Sequence, residues 1–202
     1  MIGVVDYRAG NASSVLYALE RIGVAGRVVG VGELAACDRL ILPGVGAADA
    51  TLDSLRSSGL VEPLTERVRA GIPFLGICIG LQIVFDHSEE ADTRGLGWVP
   101  GEVRRFPEAV RVPQIGWNEV RVVQEHPLVD GLPEAGHFYF VNSYYAEPDD
   151  AGSVIGVTDY AVDFCSVLAV ENVAATQFHA EKSGELGLRL LRNFSKWDGS
   201  SC

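Results

Sequence analysis

The sequence predicts an α/β fold: a single-domain, mixed but mainly parallel sheet flanked by helices, with an antiparallel extension. Three observations predict it. Strand-like and helix-like segments alternate through the first half of the chain. The strands of that half are near-continuous apolar runs, and from about residue 98 the pattern changes to short strands separated by turns. Strand–helix alternation joins parallel strands, and unbroken apolar strands belong in a sheet covered on both faces.

The elements follow in order. IGVVDY (2–7) reads as the first strand. A helix follows Asn11-Ala12-Ser13-Ser14 and carries Val15, Leu16, Leu19 and Ile22, with Asn or Ser as its N-cap type and Gly23 as its stop. AGRVVG (25–30) and CDRLILPG (37–44) are the second and third strands, followed by helices at about 47–57 and 61–70. Gly71-Ile72-Pro73 leads into the strand PFLGI (73–77), and the segment from about Leu81 to His87 reads as helical. Short strands are then expected in VPGEVRRF, NEVRVV, HFYFVNSYYA, SVIGVTDY, CSVLAVENV and VAATQFH, which form the antiparallel extension. An amphipathic helix over 184–197, with Leu186, Leu190, Leu191 and Phe194 on one side, closes the chain.

At 202 residues and 48% apolar, with no repeat or linker, the chain suits one domain over 1–202. That length buries a full core without disulfides or metals. The 16 basic and 27 acidic residues leave a net charge of -11, which repels phosphate backbones and anionic membranes. Neither nucleic acid nor a membrane is an expected partner. The four cysteines, Cys37, Cys78, Cys165 and Cys202, contain no CxxC pair and no regular spacing, so neither a metal site nor a disulfide framework is expected. The opening lacks the basic and long apolar stretches of a secretory leader, and a reducing cytoplasm is the expected compartment.

One stretch breaks the pattern of an ordinary core strand. In PFLGICIGLQIVF (73–85), Cys78 stands between Gly76 and Gly80, although glycine weakens a strand interior. The spacing Gly-x-nucleophile-x-Gly is that of a sharp strand-to-helix elbow. There, small neighbours avoid clashes and the N–H after the nucleophile, here of Ile79, faces a developing oxyanion. Taken alone, the five residues fit a buried cysteine in a glycine-rich strand better. A reactive thiol must ionise, and lowering its pKa by two units takes roughly 2.7 kcal/mol, more than the ~0.3–1 kcal/mol typical of a helix N-terminus. A proton acceptor is therefore expected nearby.

His87, His126 and His137 lie in polar or turn-like contexts and are expected at the surface. His179 closes the apolar stretch AATQFHAEKS, and in an extended segment Glu181 would point to the same side and hold its imidazole. Alone, the pair also fits a strand end with two unrelated polar side chains. A third element, LILPGVGAADA (40–50), leaves backbone N–H groups free before a helix. It suits phosphate binding, oxyanion stabilisation or a plain tight turn. No convincing nucleotide motif accompanies it.

Together these motifs resemble the class I (triad) glutamine amidotransferases, over nearly the whole chain. The family's Gly-x-Cys-x-Gly-x-Gln is matched by Gly76-Ile77-Cys78-Ile79-Gly80-Leu81-Gln82, and its His-x-Glu by His179-Ala180-Glu181. The resemblance implies a flavodoxin-like family fold. It also implies Cys78 as nucleophile toward the side-chain amide of glutamine, with His179 carrying protons and Glu181 orienting it. It further implies oxyanion donors at the Val45 and Ile79 amides, the former after a peptide rearrangement. Glutamine contacts are implied at Gly46, Gln82, Ser143 and Tyr144, the last two through the backbone, with neither cofactor nor metal.

Five segments, DYRAGN, GLGWVPGEVRRF, QIGWNEV, YFVNSYY and QFHAEKS, are similar to the branch of that family that supplies ammonia for imidazole glycerol phosphate synthesis. That similarity implies a heterodimer with a cyclase subunit of (β/α)8 barrel fold, with residues around Trp117 contributing to the shared face. Three positions depart from the branch's usual residues: Arg8 for glycine, Ile79 for leucine and Ala180 for proline. None removes a reacting group. Competing readings are the same chemistry for another synthase such as a surface-sugar amidotransferase, a catalytically silent regulatory subunit, and an independent cysteine hydrolase.

Overall fold

Ile2–Val5 (β1) is buried along its whole length and pairs in parallel with Gly26–Val29 (β2) on one side and Arg39–Gly44 (β3) on the other. The computed structural model describes residues 1–7 and 11–200; Arg8 and Cys202, both named above, lie outside the described residues. Between β1 and β2 runs the helix Ala12–Arg21 (α1), which turns Val15, Ala18 and Leu19 inward. Gly23 ends it with φ +72°, a conformation that glycine adopts freely. The helices Ala48–Ser57 (α2) and Val61–Arg69 (α3) follow β3, and Phe74–Cys78 (β4) then enters the sheet beside it.

Five residues of β4 are buried without alternation, as a strand covered on both faces requires. The single turn Ile79–Gln82 (α4) leads to Phe85–Ser88 (β5) and Thr93–Arg94 (β6). Next come Val99–Arg105 (β7), Gln114–Val122 (β8), Ala135–Asn142 (β9) and Tyr144–Pro148 (β10). Val154–Asp159 (β11), Asp163–Val170 (β12), Val173–Thr176 (β13) and the helix Gly184–Lys196 (α5) complete the described residues. The main path of the sheet is β2-β1-β3-β4-β13-β12-β10-β7-β5-β6, and β11, β8 and β9 branch from β12. One face is packed by α1 and α5 through Val15, Leu19, Leu190, Leu191 and Phe194. The other is packed by α2 and α3 through Leu52, Leu55, Leu64 and Val68.

The predicted fold class is the one observed, with local corrections. The helix expected over 81–87 is one turn followed by strand β5. Residues 79–85 are buried on every side, and such a run carries no periodicity to separate a buried helix from a strand. HFYFVNSYYA divides into β9 and β10 rather than forming one strand. VAATQFH does not belong wholly to the antiparallel part, because β13 lies parallel to β4 while antiparallel to β12. His126, expected at the surface, is 8% exposed. Its Nδ1 accepts the Leu128 N–H, its ring meets Trp197 edge-on at 5.3 Å, and burial pushes its pKa down. His87 is half-buried and 2.8 Å from Asp92, and His137 is exposed.

What positions the site is the end of three adjacent parallel strands. Gly44 of β3 pairs with Cys78 of β4, and Thr176 of β13 pairs with Ile77. The loops after all three therefore meet at one edge, the carboxyl edge where open α/β sheets place their ligands.

Candidate active site

Cys78 ends β4 at φ +57°, ψ −106°, a conformation that costs a non-glycine residue about 1–3 kcal/mol. The neighbouring glycines explain how the chain can bend so sharply. A Cβ on Gly76 would stand 2.4 Å from the Gly80 carbonyl oxygen, and one on Gly80 would stand 2.3 Å from that of Leu42. A Cβ on Gly44 would meet Ile79 Cγ2 at 1.9 Å and the Tyr7 hydroxyl at 2.5 Å. The elbow closes against β3 only because all three positions lack side chains.

His179 follows β13 and is fixed by its backbone. Its N–H donates to the Tyr139 carbonyl at 2.9 Å, and its carbonyl accepts the Ser183 hydroxyl at 2.6 Å. Ser183 Oγ also accepts the Tyr139 N–H at 3.0 Å, so one side chain ties β9 to the histidine. Glu181 lies on the 3₁₀ turn Ala180–Lys182, not in the extended segment the sequence suggested. A turn instead of a strand still brings Glu181 Oε1 to 2.9 Å from His179 Nδ1, with side chains only 1% and 3% exposed. Helix α5 presses close behind, because a Cβ on Gly187 would stand 1.9 Å from the Ala180 carbonyl oxygen.

With Nδ1 committed to the carboxylate, Nε2 is the nitrogen left for the sulfur. Burial alone would lower the His179 pKa. Hydrogen bonds to Cys78 and Glu181, with the charges of both, outweigh burial and push it up to about 9. The imidazole is thus a ready home for the proton that the thiol gives up. Such an arrangement can deliver a sulfur nucleophile and then protonate a leaving group.

The other predicted residues fall around this trio. Ile79 follows Cys78, and Val45 follows Gly44, its strand partner. Val45 is exposed, and Gly46 has φ +109°. Gln82 Nε2 donates to the Tyr144 carbonyl at 3.1 Å and to Gln177 Oε1 at 3.0 Å. The Ser143 carbonyl accepts the Phe106 N–H at 3.1 Å. The Val141 carbonyl lies 3.8 Å from Cys78 Sγ, so the end of β9 overhangs the nucleophile. Tyr7 lies beneath the elbow, its phenol pushed up to about 12 chiefly by burial, with the Cys78 charge adding to it. Among the described residues no group of three or more His, Cys, Asp and Glu side chains is arranged to hold a metal ion.

Sequence reasoning assigned no place in the site to several residues that support it or its loops. Asn11 makes no side-chain cap to α1; its amide donates to Glu181 Oε1 at 3.3 Å instead. Ser183 and Gln177 lie in the histidine segment, and Gln177, an amide inside an apolar run of the sequence, is wholly buried. Glu90 accepts the Ala48 N–H at 2.7 Å, capping α2 just after the 43–46 loop, and burial raises its pKa. That contact joins positions 42 apart and had no sequence signature.

A family model described as glutamine amidotransferase class-I matches residues 3–197. The imidazole glycerol phosphate synthase subunit HisH of Dehalococcoides mccartyi (strain ATCC BAA-2266 / KCTC 15142 / 195) is 45% identical over 198 residues, covering 97% of each chain. The subunit of that name from Methanocaldococcus jannaschii is 43% identical over 195 residues, covering 96% of this chain and 98% of the relative. Among solved structures, a glutamine amidotransferase superimposes with a TM-score of 0.76 at 22% identity, covering 96% of each chain. PurLQS from Thermotoga maritima gives 0.75 at 18% identity, again covering 96% of each chain.

Proposed function

The chain belongs to the class-I glutamine amidotransferases, and from that premise we propose that it hydrolyses glutamine and passes the ammonia to a cyclase subunit for imidazole glycerol phosphate synthesis. The observation that carries the chemistry is the buried contact of Cys78, His179 and Glu181 at the carboxyl edge of β3, β4 and β13. The relatives named above, more than 40% identical over nearly their whole length, favour this destination over another synthase.

The steps follow from the geometry. Cys78 loses its proton to His179 Nε2, and the sulfur attacks the side-chain amide carbon of glutamine. The carbonyl electrons move to oxygen, where the Ile79 and Val45 amides receive the charge. His179 gives its proton to the amide nitrogen, the C–N bond breaks, and ammonia leaves a γ-glutamyl thioester. Water then attacks as His179 takes its proton, the carbonyl re-forms as the C–S bond breaks, the departing Cys78 sulfur recovers that proton from His179, and glutamate leaves. Glu181 keeps the imidazole oriented throughout. Gly46, Gln82 and the Ser143 and Tyr144 backbones are the contacts we assign to glutamine.

Ammonia is mostly protonated in water near neutral pH, so its use by a second subunit favours a protected passage. We assign the exit to an apolar patch that rims the nucleophile. Ile115 and Val141 face each other on β8 and β9, Trp117 lies two residues along, and all three are exposed, as is Val45. Val141 shares the patch and the sulfur. A (β/α)8 barrel cyclase docked there would press on the 43–46 loop and could complete the oxyanion site only when engaged. The chain acts as one domain over 1–202, in a cytoplasm that keeps a reactive thiol reduced.

The test uses this chain with the cyclase from the same source. Cys78→Ala should abolish glutamine-dependent synthesis while leaving ammonia-dependent synthesis intact. Persistence of the glutamine-dependent reaction would remove Cys78 from the mechanism. Full glutaminase turnover of the isolated chain would remove the partner-completed oxyanion site.

A further inference from the structure

Gln177 is wholly buried beside the nucleophile, and the direction in which its amide points can be worked out from its neighbours. A backbone carbonyl can only accept. The Tyr144 carbonyl takes a hydrogen bond from the Gln82 side chain at 3.1 Å, so the Gln82 atom facing it must be nitrogen. That same nitrogen lies 3.0 Å from the Gln177 amide, so Gln177 must present its oxygen there. Its NH₂ is thereby turned toward Cys78, with Nε2 at 3.9 Å from Sγ.

From this relay we propose that Gln177 is a further residue of the reaction centre, donating an N–H to the Cys78 sulfur and favouring its ionised form. The proposal rests on Cys78 being the nucleophile and adds a fourth side chain to its control. Cys78 Sγ lies between two opposite influences. The Val141 carbonyl, 3.8 Å away, can only accept and so favours S–H. The Gln177 amide, like the protonated His179, can only donate toward the sulfur and so favours S⁻. A neutral sulfur is a weak acceptor, whereas a thiolate makes a charge-assisted bond of roughly twice the usual strength. A buried donor therefore gains most when the proton has left for His179.

The backbone keeps this arrangement in register. The Gln177 N–H donates to the Ser166 carbonyl at 3.0 Å, and the Thr176 hydroxyl donates to the Phe178 carbonyl at 2.9 Å. Gln177 directly follows the strand pair Thr176–Ile77, so it stands alongside Cys78 on the neighbouring strand.

The test is alkylation of Cys78 by iodoacetamide across pH, followed on its own peptide by mass spectrometry, with the protein bound to its cyclase partner and without it. Gln177→Met keeps the length and removes the donor. Its alkylation at neutral pH should be about tenfold slower than that of the wild type, a factor equal to about 1.4 kcal/mol. The two rates should converge at strongly alkaline pH, where the thiol is ionised in both. Gln177→Glu keeps an acceptor for Gln82 and turns an anionic oxygen toward the sulfur. It should be slower still, and it carries the test if the methionine variant does not fold. Equal rates at neutral pH, or one constant ratio at every pH, would overturn the proposal. Because alkylation needs no glutamine, its outcome is separate from the glutaminase reading, which fails only if the wild type releases no glutamate.

Discussion

Glu181 Oε1 stands 2.9 Å from His179 Nδ1, and the same oxygen receives the Asn11 amide at 3.3 Å. Two donors converging on one carboxylate oxygen fix its position, although Asn11 and Glu181 are 170 residues apart. Glu181→Gln replaces the acceptor by a group that can turn an N–H toward the ring and select the wrong tautomer. Glutaminase kcat should fall on the order of 10²–10⁴-fold with KM changed little. Asn11→Ala removes only one orienting bond, and its loss should be on the order of tenfold. Steady-state glutamate release from the complex measures both.

The raised His179 pKa has a consequence for stability. A folded-state pKa of about 9 against an ordinary 6.5 means that the native protein holds this proton more tightly than the unfolded chain. The associated stabilisation is fully present below pH 6.5 and is lost as pH rises through about 9. Denaturant midpoints of the wild type and His179→Gln should therefore differ most at mildly acidic to neutral pH and draw together in alkali. Cys78→Ala removes the group that does most to raise the pKa, so its stability should begin to fall at a lower pH than the wild type. A wild-type profile flat across this window would contradict the imidazolium assignment.

The glycines around the elbow are set by contact, which can be tested apart from catalysis. A methyl on Gly80 would stand 2.3 Å from the Leu42 carbonyl oxygen, a backbone atom that cannot rotate away. Gly80→Ala should cost about 1–3 kcal/mol or more. Gly32 has nothing within 4 Å of an added Cβ and no positive φ, so Gly32→Ala should stay within about 0.5 kcal/mol of the wild type. Urea unfolding of the two variants, at equal m-value, gives the comparison.

These residues also show which parts of the structure the chain reveals on its face. The parallel half was legible because its strands are unbroken apolar runs and its helices are amphipathic, so periodicity and the stop at Gly23 point to the same elements. The Cys78 elbow was legible because Gly76 and Gly80 make no sense as ordinary strand residues. His179 and Glu181 could be paired, although the turn that joins them was read as extended. Residues 81–85 defeated periodicity because burial on all sides removes the polar face that marks a helix. His126 looked like a turn residue because its aromatic neighbour Trp197 is 71 positions away in the chain. Asn11 and Gln177 were missed for the same reason, since their partners Glu181 and Cys78 lie 170 and 99 positions away in the chain.

The exposed patch over β8 and β9 gives the last prediction. Trp117 is 56% exposed and Ile115 63%, a high exposure for large apolar groups on neighbouring positions of one face. Trp117 keeps one intramolecular anchor, an edge-on contact with Tyr139 at 6.1 Å, which holds the indole in place without burying it. A large, held aromatic of this kind is what interface hot spots are made of, typically worth about 2 kcal/mol or more on truncation. Trp117→Ala should weaken binding to the cyclase about 30-fold, by the same conversion, while changing the unfolding midpoint little. Because Val141 joins this patch and overhangs Cys78, the variant should also lose more glutamine-dependent than ammonia-dependent synthesis at limiting partner concentration. Unchanged affinity by titration calorimetry would move the docking face elsewhere on the molecule and leave the catalytic reading standing.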